Sequence, residues 1–343
     1  MLAREGALIA GKLRLERPLA SGGMGAVWVA RHLLLDTDVA VKFINTEGDA
    51  PGSLRARFLQ EAKASLRIKS PHVVQVLDYG VEDGTPFMVM ELLEGEDLRA
   101  HLERAGRLSL EATYQLLAPL GRALRRAHSI GLVHRDLKPS NIFLARCGDE
   151  VIVKVLDFGI AKQVHEQPPS AVTTSSVIIG SPRYMSPEQV RAAKQLDHRS
   201  DLWSMGVIVY QALTGRTPFE DETLGGLIIA ICAEPWPLPS ALVPALDAGV
   251  DRFMARALER DPAARFQSAD EMVDAFAALV GARLPMRSES ALLRAERSDA
   301  PVDPTASTAP QDGIAARHDG AGSAPEVAPA AAPEVAPPEV APA

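Results

Sequence analysis

Between residues 12 and 90 the apolar positions come in short β-branched runs, and five of them read as strands: Leu13–Leu15, Ala26–Ala30, Val39–Phe43, Val73–Tyr79 and Phe87–Met90. One stretch breaks this pattern. Between Leu54 and Lys69, Phe58, Ala62, Ser65 and Leu66 recur at helical spacing and predict one helix. From 97 to 283 the period is mostly that of a helix, as in Ser109–Ile130, Asp201–Thr214, Ala248–Glu259 and Ala269–Val280. The pattern predicts an α+β chain of two lobes. A small lobe over 12–93 carries five strands and one main helix, a larger, mainly helical lobe follows over 94–283, and a cleft lies between them.

Near Pro285 the pattern ends. No Phe, Trp or Tyr follows, and the chain closes on Pro-Glu-Val-Ala-Pro three times, at Pro325–Pro329, Pro333–Pro337 and Pro338–Pro342. Such a segment buries too little apolar surface to offset the entropy of ordering it, so an Ala/Pro/Glu-rich disordered tail is expected over 284–343. It serves either as a solvated extension or as a docking arm for partners.

Composition narrows the class. The 343 residues carry 36 basic and 44 acidic side chains, a formal charge of −8, with none of the basic striping that a nucleic-acid binder needs. Nine acids and four bases lie from Pro285 onward, so −5 of that charge belongs to the tail. Cys147 and Cys232 belong to no Cys/His cluster, which argues against disulfides and structural zinc and fits a reducing compartment. The segment Met1–Lys12 is too short in apolar residues for a secretory signal, and no run reaches the length of a membrane span. A soluble, cytoplasmic protein is the expectation.

Three segments carry chemistry. Leu19-Ala20-Ser21-Gly22-Gly23-Met24-Gly25-Ala26-Val27 lies between two strand patterns. Glycines let a backbone fold tightly over phosphates and aim its N–H groups at oxygen, although a hairpin turn without a ligand fits the motif equally well. Val39-Ala40-Val41-Lys42 ends a strand in an ammonium. Burying that charge requires phosphate oxygens or a carboxylate such as Glu61; the alternative is a surface lysine lying along a strand edge. The third segment is His134-Arg135-Asp136-Leu137-Lys138-Pro139-Ser140-Asn141, followed by Asp157-Phe158-Gly159. Phosphoryl transfer needs a carboxylate to orient and deprotonate the attacking hydroxyl, oxygen ligands for magnesium, and a cation near the transferring group. Asp136 fits the base, Asn141 and Asp157 the metal ligands, and Lys138 the cation. Turn capping would explain each residue alone, but not all of them in this order and spacing.

Together these segments resemble the eukaryotic-type (Hanks-type) serine/threonine protein kinase family, over about residues 12–283. The resemblance implies the bilobal kinase fold and transfer of the γ-phosphate of Mg-ATP to protein hydroxyls. It implies that Gly22, Gly23 and Gly25 cover the phosphates and that Lys42, paired with Glu61, holds the α- and β-phosphates. Met90 then backs the adenine pocket, Glu91 and Leu93 offer hinge backbone groups, and Ala20, Val27, Ala40 and Asp97 belong to the nucleotide site. Asp136-Leu137-Lys138-Pro139 is similar to the serine/threonine version of the catalytic loop, and the Gly-Gly-Met-Gly loop to the bacterial signalling branch.

Downstream, Ser181–Glu188 looks like the substrate-positioning end of the activation segment. Asp201 matches the aspartate that braces the catalytic loop, and Arg265 the partner of Glu188. Thr173, Thr174, Ser175 and Ser176 lie midway between Asp157 and Glu188, and a phosphate there would pair with Arg135 and order the segment. Its transfer by a second copy implies a transient homodimer. Three positions depart from the family pattern: Ala20 replaces a glycine, Ser186 an alanine and Ser181 a threonine. None removes a reacting group. A pseudokinase scaffold would normally lack one of Lys42, Glu61, Asp136, Asn141 or Asp157, and a small-molecule kinase would lack the Ser181–Glu188 segment.

Overall fold

The computed structural model describes residues 3–22, 25–44, 66–158, 182–193 and 196–281. Its N-terminal runs form one antiparallel sheet. β1 (Leu8–Ile9), β2 (Leu13–Gly22), β3 (Gly25–His32), β4 (Thr37–Ile44), β5 (Val76–Glu82) and β6 (Thr85–Glu91) pair in the order β1-β2-β3-β4-β6-β5. The sequence predicts five of these strands; the sixth, β1, has two residues and is too short to show a period. The run predicted from Val73 begins its ladder only at Val76. Val73 instead bridges to Val155, and Val74 N donates to Val155 O at 2.9 Å, so this apolar pair joins the sheet to the second lobe.

Successive strand side chains point to opposite faces. β4 therefore sends Val39, Val41 and Phe43 into a core with Leu13, Leu15, Trp28, Phe87 and Val89. Ala40 and Ile44 point to the other face, with Val76, Met88 and Met90, and Lys42 shares their side of the strand. Alternation alone thus aims the ammonium away from the sheet's own core.

The second lobe contains α1 (Leu98–Ala105), α2 (Leu110–His128), α3 (Pro187–Val190), α4 (Arg199–Thr214), α5 (Leu224–Ala233), α6 (Pro239–Leu242), α7 (Ala248–Ala257) and α8 (Ala269–Gly281) among the described residues. Ser109 caps α2 by accepting from Ala112 N, and Gly215, at φ 80°, ends α4 in the left-handed conformation that favours glycine. Every residue of α4 from Ser200 to Tyr210 is buried, as expected for a helix that is apolar on all sides and runs through a core. Leu116, Leu120 and Leu124 of α2 and Phe276 of α8 belong to the same cluster.

One feature of this lobe is absent from the sequence prediction. β7 (Gly95–Asp97), β8 (Ile142–Cys147) and β9 (Glu150–Val155) form a three-stranded antiparallel sheet. β7 has only three residues, and β8 and β9, six residues each, sit inside a stretch read as mostly helix-periodic, although the two-residue turn Gly148-Asp149, with Gly148 at φ 60°, is a hairpin signal. The helix predicted over Leu54–Lys69 lies outside the described residues up to 65, as does the tail over 284–343. No helix among the described residues is long and apolar enough to cross a membrane.

Candidate active site

The string His134–Asn141 joins α2 to β8 and ends in a 3-10 turn, Pro139–Asn141. Most of it is irregular, so its backbone groups need partners from elsewhere. Asp201, in the first turn of α4 and 1% exposed, supplies them. Its Oδ2 accepts from His134 N and from His128 Nε2, and its Oδ1 from Arg135 N, each at 2.8 Å. Burial alone would raise the Asp201 carboxyl. The His128 hydrogen bond and charge, helped by His134, outweigh it and hold the group below the ordinary carboxylate range. His134 is fully buried and donates Nε2–H to Leu156 O at 2.9 Å, leaving Nδ1 to accept from Asp136 N at 3.3 Å.

The candidate reacting groups lie on and beside this frame. Asp136 Oδ2 is 2.8 Å from Lys138 Nζ and accepts from Asn141 Nδ2 at 3.3 Å, while Asp136 O accepts from the same Nδ2 at 2.8 Å. A carbonyl only accepts, so the Asn141 amide is oriented with Nδ2 toward Asp136 and Oδ1 available to a cation. Lys42 Nζ reaches Asp157 Oδ2 at 2.7 Å. Lys42 is 7% exposed, which rules out a lysine lying along a strand edge. Glu61, the carboxylate named from the sequence, lies outside the described residues, and the described partner is Asp157. The Asp157 carboxylate and Asn141 Oδ1 are hard oxygen donors, and that donor set fits a divalent ion whose other ligands are phosphate oxygens and water.

On the nucleotide side, Ala20, Val27, Lys42 and Met88 occupy one rung of the sheet, through the pairs Ala20↔Val27, Val27↔Lys42 and Lys42↔Met88. The rung thus runs from the glycine-rich turn to the ammonium. Gly22 and Gly25 close the β2–β3 hairpin, with Gly25 at φ 132°; Gly23, between them, lies outside the described residues. Ala40 and Met90 pair on the neighbouring rung and pack with Val27, Leu92, Leu93 and Leu156. Glu91 N donates to Gln75 O at 3.0 Å, which commits that amide within the protein. Its side chain accepts from Gln75 N at 2.7 Å and Lys154 Nζ at 2.6 Å. Asp97 caps α1 through Ala100 N at 2.8 Å.

On the substrate side, Arg265 donates to both carboxylate oxygens of Glu188, Nη1 to Oε1 at 3.0 Å and Nη2 to Oε2 at 3.2 Å. Burial would raise Glu188; the Arg265 hydrogen bonds and charge hold it below its ordinary value. Tyr184 donates its hydroxyl to Gln211 Oε1 at 2.7 Å, its carbonyl accepts from Ser204 Oγ at 2.8 Å, and burial pushes its phenol up to about 12. The segment is thereby fastened to α4. Gly159, Thr173, Thr174, Ser175, Ser176 and Ser181 lie outside the described residues.

Asp136 thus contacts Lys138 and Asn141, Lys42 contacts Asp157, and residues 13–276 match the family model described as the protein kinase domain. The chain belongs to the protein kinase family. Serine/threonine-protein kinase Pkn1 of Myxococcus xanthus is 40% identical over 259 residues, covering 75% of this kinase and 37% of Pkn1. Serine/threonine-protein kinase PknA of Mycobacterium tuberculosis is 39% identical over 295 residues, covering 84% of this kinase and 65% of PknA. The kinase therefore spans less than two thirds of the length of either relative. The crystal structure of the M. tuberculosis PknI kinase domain superposes with a TM-score of 0.65 at 27% identity, over 82% of this chain and all of that domain. These likenesses identify the kinase as a member of the bacterial serine/threonine branch, with the sheet lobe and helical lobe of the kinase fold. The family uses ATP and a divalent metal ion.

Sequence reasoning missed four contributors to the site: His128, Leu156, Lys154 and Gln189. Gln189 had a legible signal, because Ser186-Pro187-Glu188-Gln189 has the spacing of a capping box. Lys154 had none, since its partner lies 63 residues away in sequence.

Proposed function

We propose that this kinase transfers the γ-phosphate of Mg-ATP to serine or threonine hydroxyls of other proteins and of its own Thr173–Ser176 cluster, acting in cytoplasmic signalling. The observation that carries the reading is Asp136 held beside Lys138 and Asn141, on a loop whose backbone is fixed by Asp201. Asp136 orients the incoming hydroxyl and takes its proton on a carboxylate oxygen, and Lys138 next to it offsets charge building on the transferred group. Lys42 binds phosphate oxygens, and Ala40, Val27, Met90 and Leu93 exclude water from the adenine side. Magnesium, held by Asp157 and Asn141, would neutralise phosphate charge. Little covalent chemistry falls to the protein, so catalysis comes from positioning and charge.

Protein substrates are favoured over sugars or amines by the Ser181–Glu188 segment, which Arg265 fastens at Glu188. The test is label transfer from ATP to a generic basic protein, with sugar and amine acceptors in parallel. Label is expected on protein serine or threonine and is lost in Asp136→Asn. Transfer by that variant at the wild-type rate would sink the reading.

A further inference from the structure

We propose that Gln189 is a positioning residue for phosphoryl transfer, holding the Arg135 peptide, and through it Asp136, in the geometry the reaction needs. The proposal rests on the reading of Asp136 as the base.

Arg135 sits at φ 64°. For a residue with a Cβ that conformation costs roughly 1–2 kcal/mol and persists only where the surroundings over-determine it. Here both ends of the residue are held. Its N–H donates to Asp201 Oδ1 at 2.8 Å, and its carbonyl accepts from Gln189 Nε2 at 2.7 Å. That carbonyl belongs to the peptide unit leading into Asp136, so its direction sets where the Asp136 side chain starts.

Gln189 is itself held in one orientation. Its Oε1 accepts from Ser186 N at 3.0 Å, while its own N donates to Ser186 Oγ at 3.3 Å; together they make the capping box that opens α3. With Oε1 committed to a donor, the NH₂ end faces the Arg135 carbonyl. The neighbouring Glu188 is fastened to Arg265 and Ser200, so α3 is a rigid base for this contact. Ser186 departs from the alanine usual in the family, and the geometry supplies its reason: an alanine would leave Gln189 without the hydroxyl half of its anchor. One amide side chain therefore links the cap of the substrate-side helix to the backbone that aims Asp136.

Gln189→Glu separates this role from a merely structural one, because glutamate serves a capping box but, when ionised, has no N–H for the Arg135 carbonyl. We expect kcat at neutral pH to fall about 10- to 100-fold, the effect of a small misplacement of a reacting group. KM for ATP and the thermal midpoint should stay at wild-type values. Protonation restores a donor, so the deficit relative to wild type should narrow as pH is lowered toward the carboxyl range. In the full, nucleotide-free chain, amide exchange at Arg135–Leu137 should quicken while Ser186–Val190 is unchanged. Wild-type kcat in the variant, a deficit that does not vary with pH, or unchanged exchange at Arg135–Leu137 overturns the proposal. If the wild-type chain itself transfers no phosphate, the reading of Asp136 fails, and the exchange measurement still tests the Gln189 link.

Discussion

Two buried ion pairs in this molecule are built to opposite rules. Arg265 meets Glu188 in parallel through two nitrogens, and the rest of its guanidinium is spoken for: Glu259 O accepts at 2.9 Å and Arg199 O at 2.7 Å, with the group 5.1 Å from the Trp203 ring centre. Ser200 Oγ adds a further donor to Glu188 at 2.8 Å. Lys42 Nζ meets Asp157 Oδ2 at 2.7 Å, and the Asp157 side chain is 26% exposed. The saturated pair fastens the segment that ends at Glu188, where rigidity is the requirement. The more open pair lies where phosphate and metal would bind. Enclosure marks support, and a carboxylate left open to solvent marks a place for a ligand.

The largest effect should come from breaking the saturated pair. Arg265→Ala removes the partner of a buried carboxylate and strands the carbonyls of Glu259 and Arg199. A loss of about 3–5 kcal/mol in unfolding free energy is expected, the usual result of leaving one buried charge uncompensated. Denaturant titration measures it, and an unchanged midpoint would break the contrast. Lys42→Met comes next and should act on chemistry. Phosphate transfer is expected to fall at least about 100-fold, equivalent to about 2.7 kcal/mol of transition-state stabilisation, while the denaturant midpoint moves little because Asp157 can rehydrate. If Lys42→Met cost as much stability as Arg265→Ala, both pairs would be structural and the contrast would vanish.

How far the same contrast was legible in the sequence depends on chain distance. The strand Val39–Lys42 declared both its alternation and the oddity of its terminal ammonium, because those are properties of adjacent residues. The order of Asp136, Lys138, Asn141 and Asp157 was legible for the same reason: one short loop and one strand end bring them together. The Glu188–Arg265 pair is separated by 77 residues and was reached only through the resemblance. What escaped notice was tertiary. β7 pairs with β8 across a gap that includes all of α2, so nothing local marks Gly95–Asp97 as a strand. The Gln189–Arg135 contact spans 54 residues, and a side-chain amide meeting a backbone carbonyl leaves no mark on residue type. The β-branched run predicts strand from Val73, but His72 O and Val74 N on either side of it bond Val155 rather than β6.

The smallest effect sharpens the contrast from the side of the saturated pair. The Glu188 carboxyl is held below its ordinary value in the folded chain, with Arg265 overcoming the cost of burial. A carboxylate depressed on folding contributes stability in full above its unfolded pKa of about 4.3, and that contribution is lost as pH falls through the lower folded value. In this window the unfolded chain binds more protons than the folded one, so unfolding free energy should rise with pH. Asp201 acts in the same direction, through His128. Glu188→Gln removes one of the carboxyls that are depressed on folding. Urea unfolding of the full chain between about pH 3 and pH 5 should therefore show a shallower dependence on pH in Glu188→Gln than in the wild type, whatever the variant's absolute stability. Equal slopes would mean that Arg265 does not hold the Glu188 carboxyl down, and the saturated pair would lose its claim to be an anchor of charge as well as of shape.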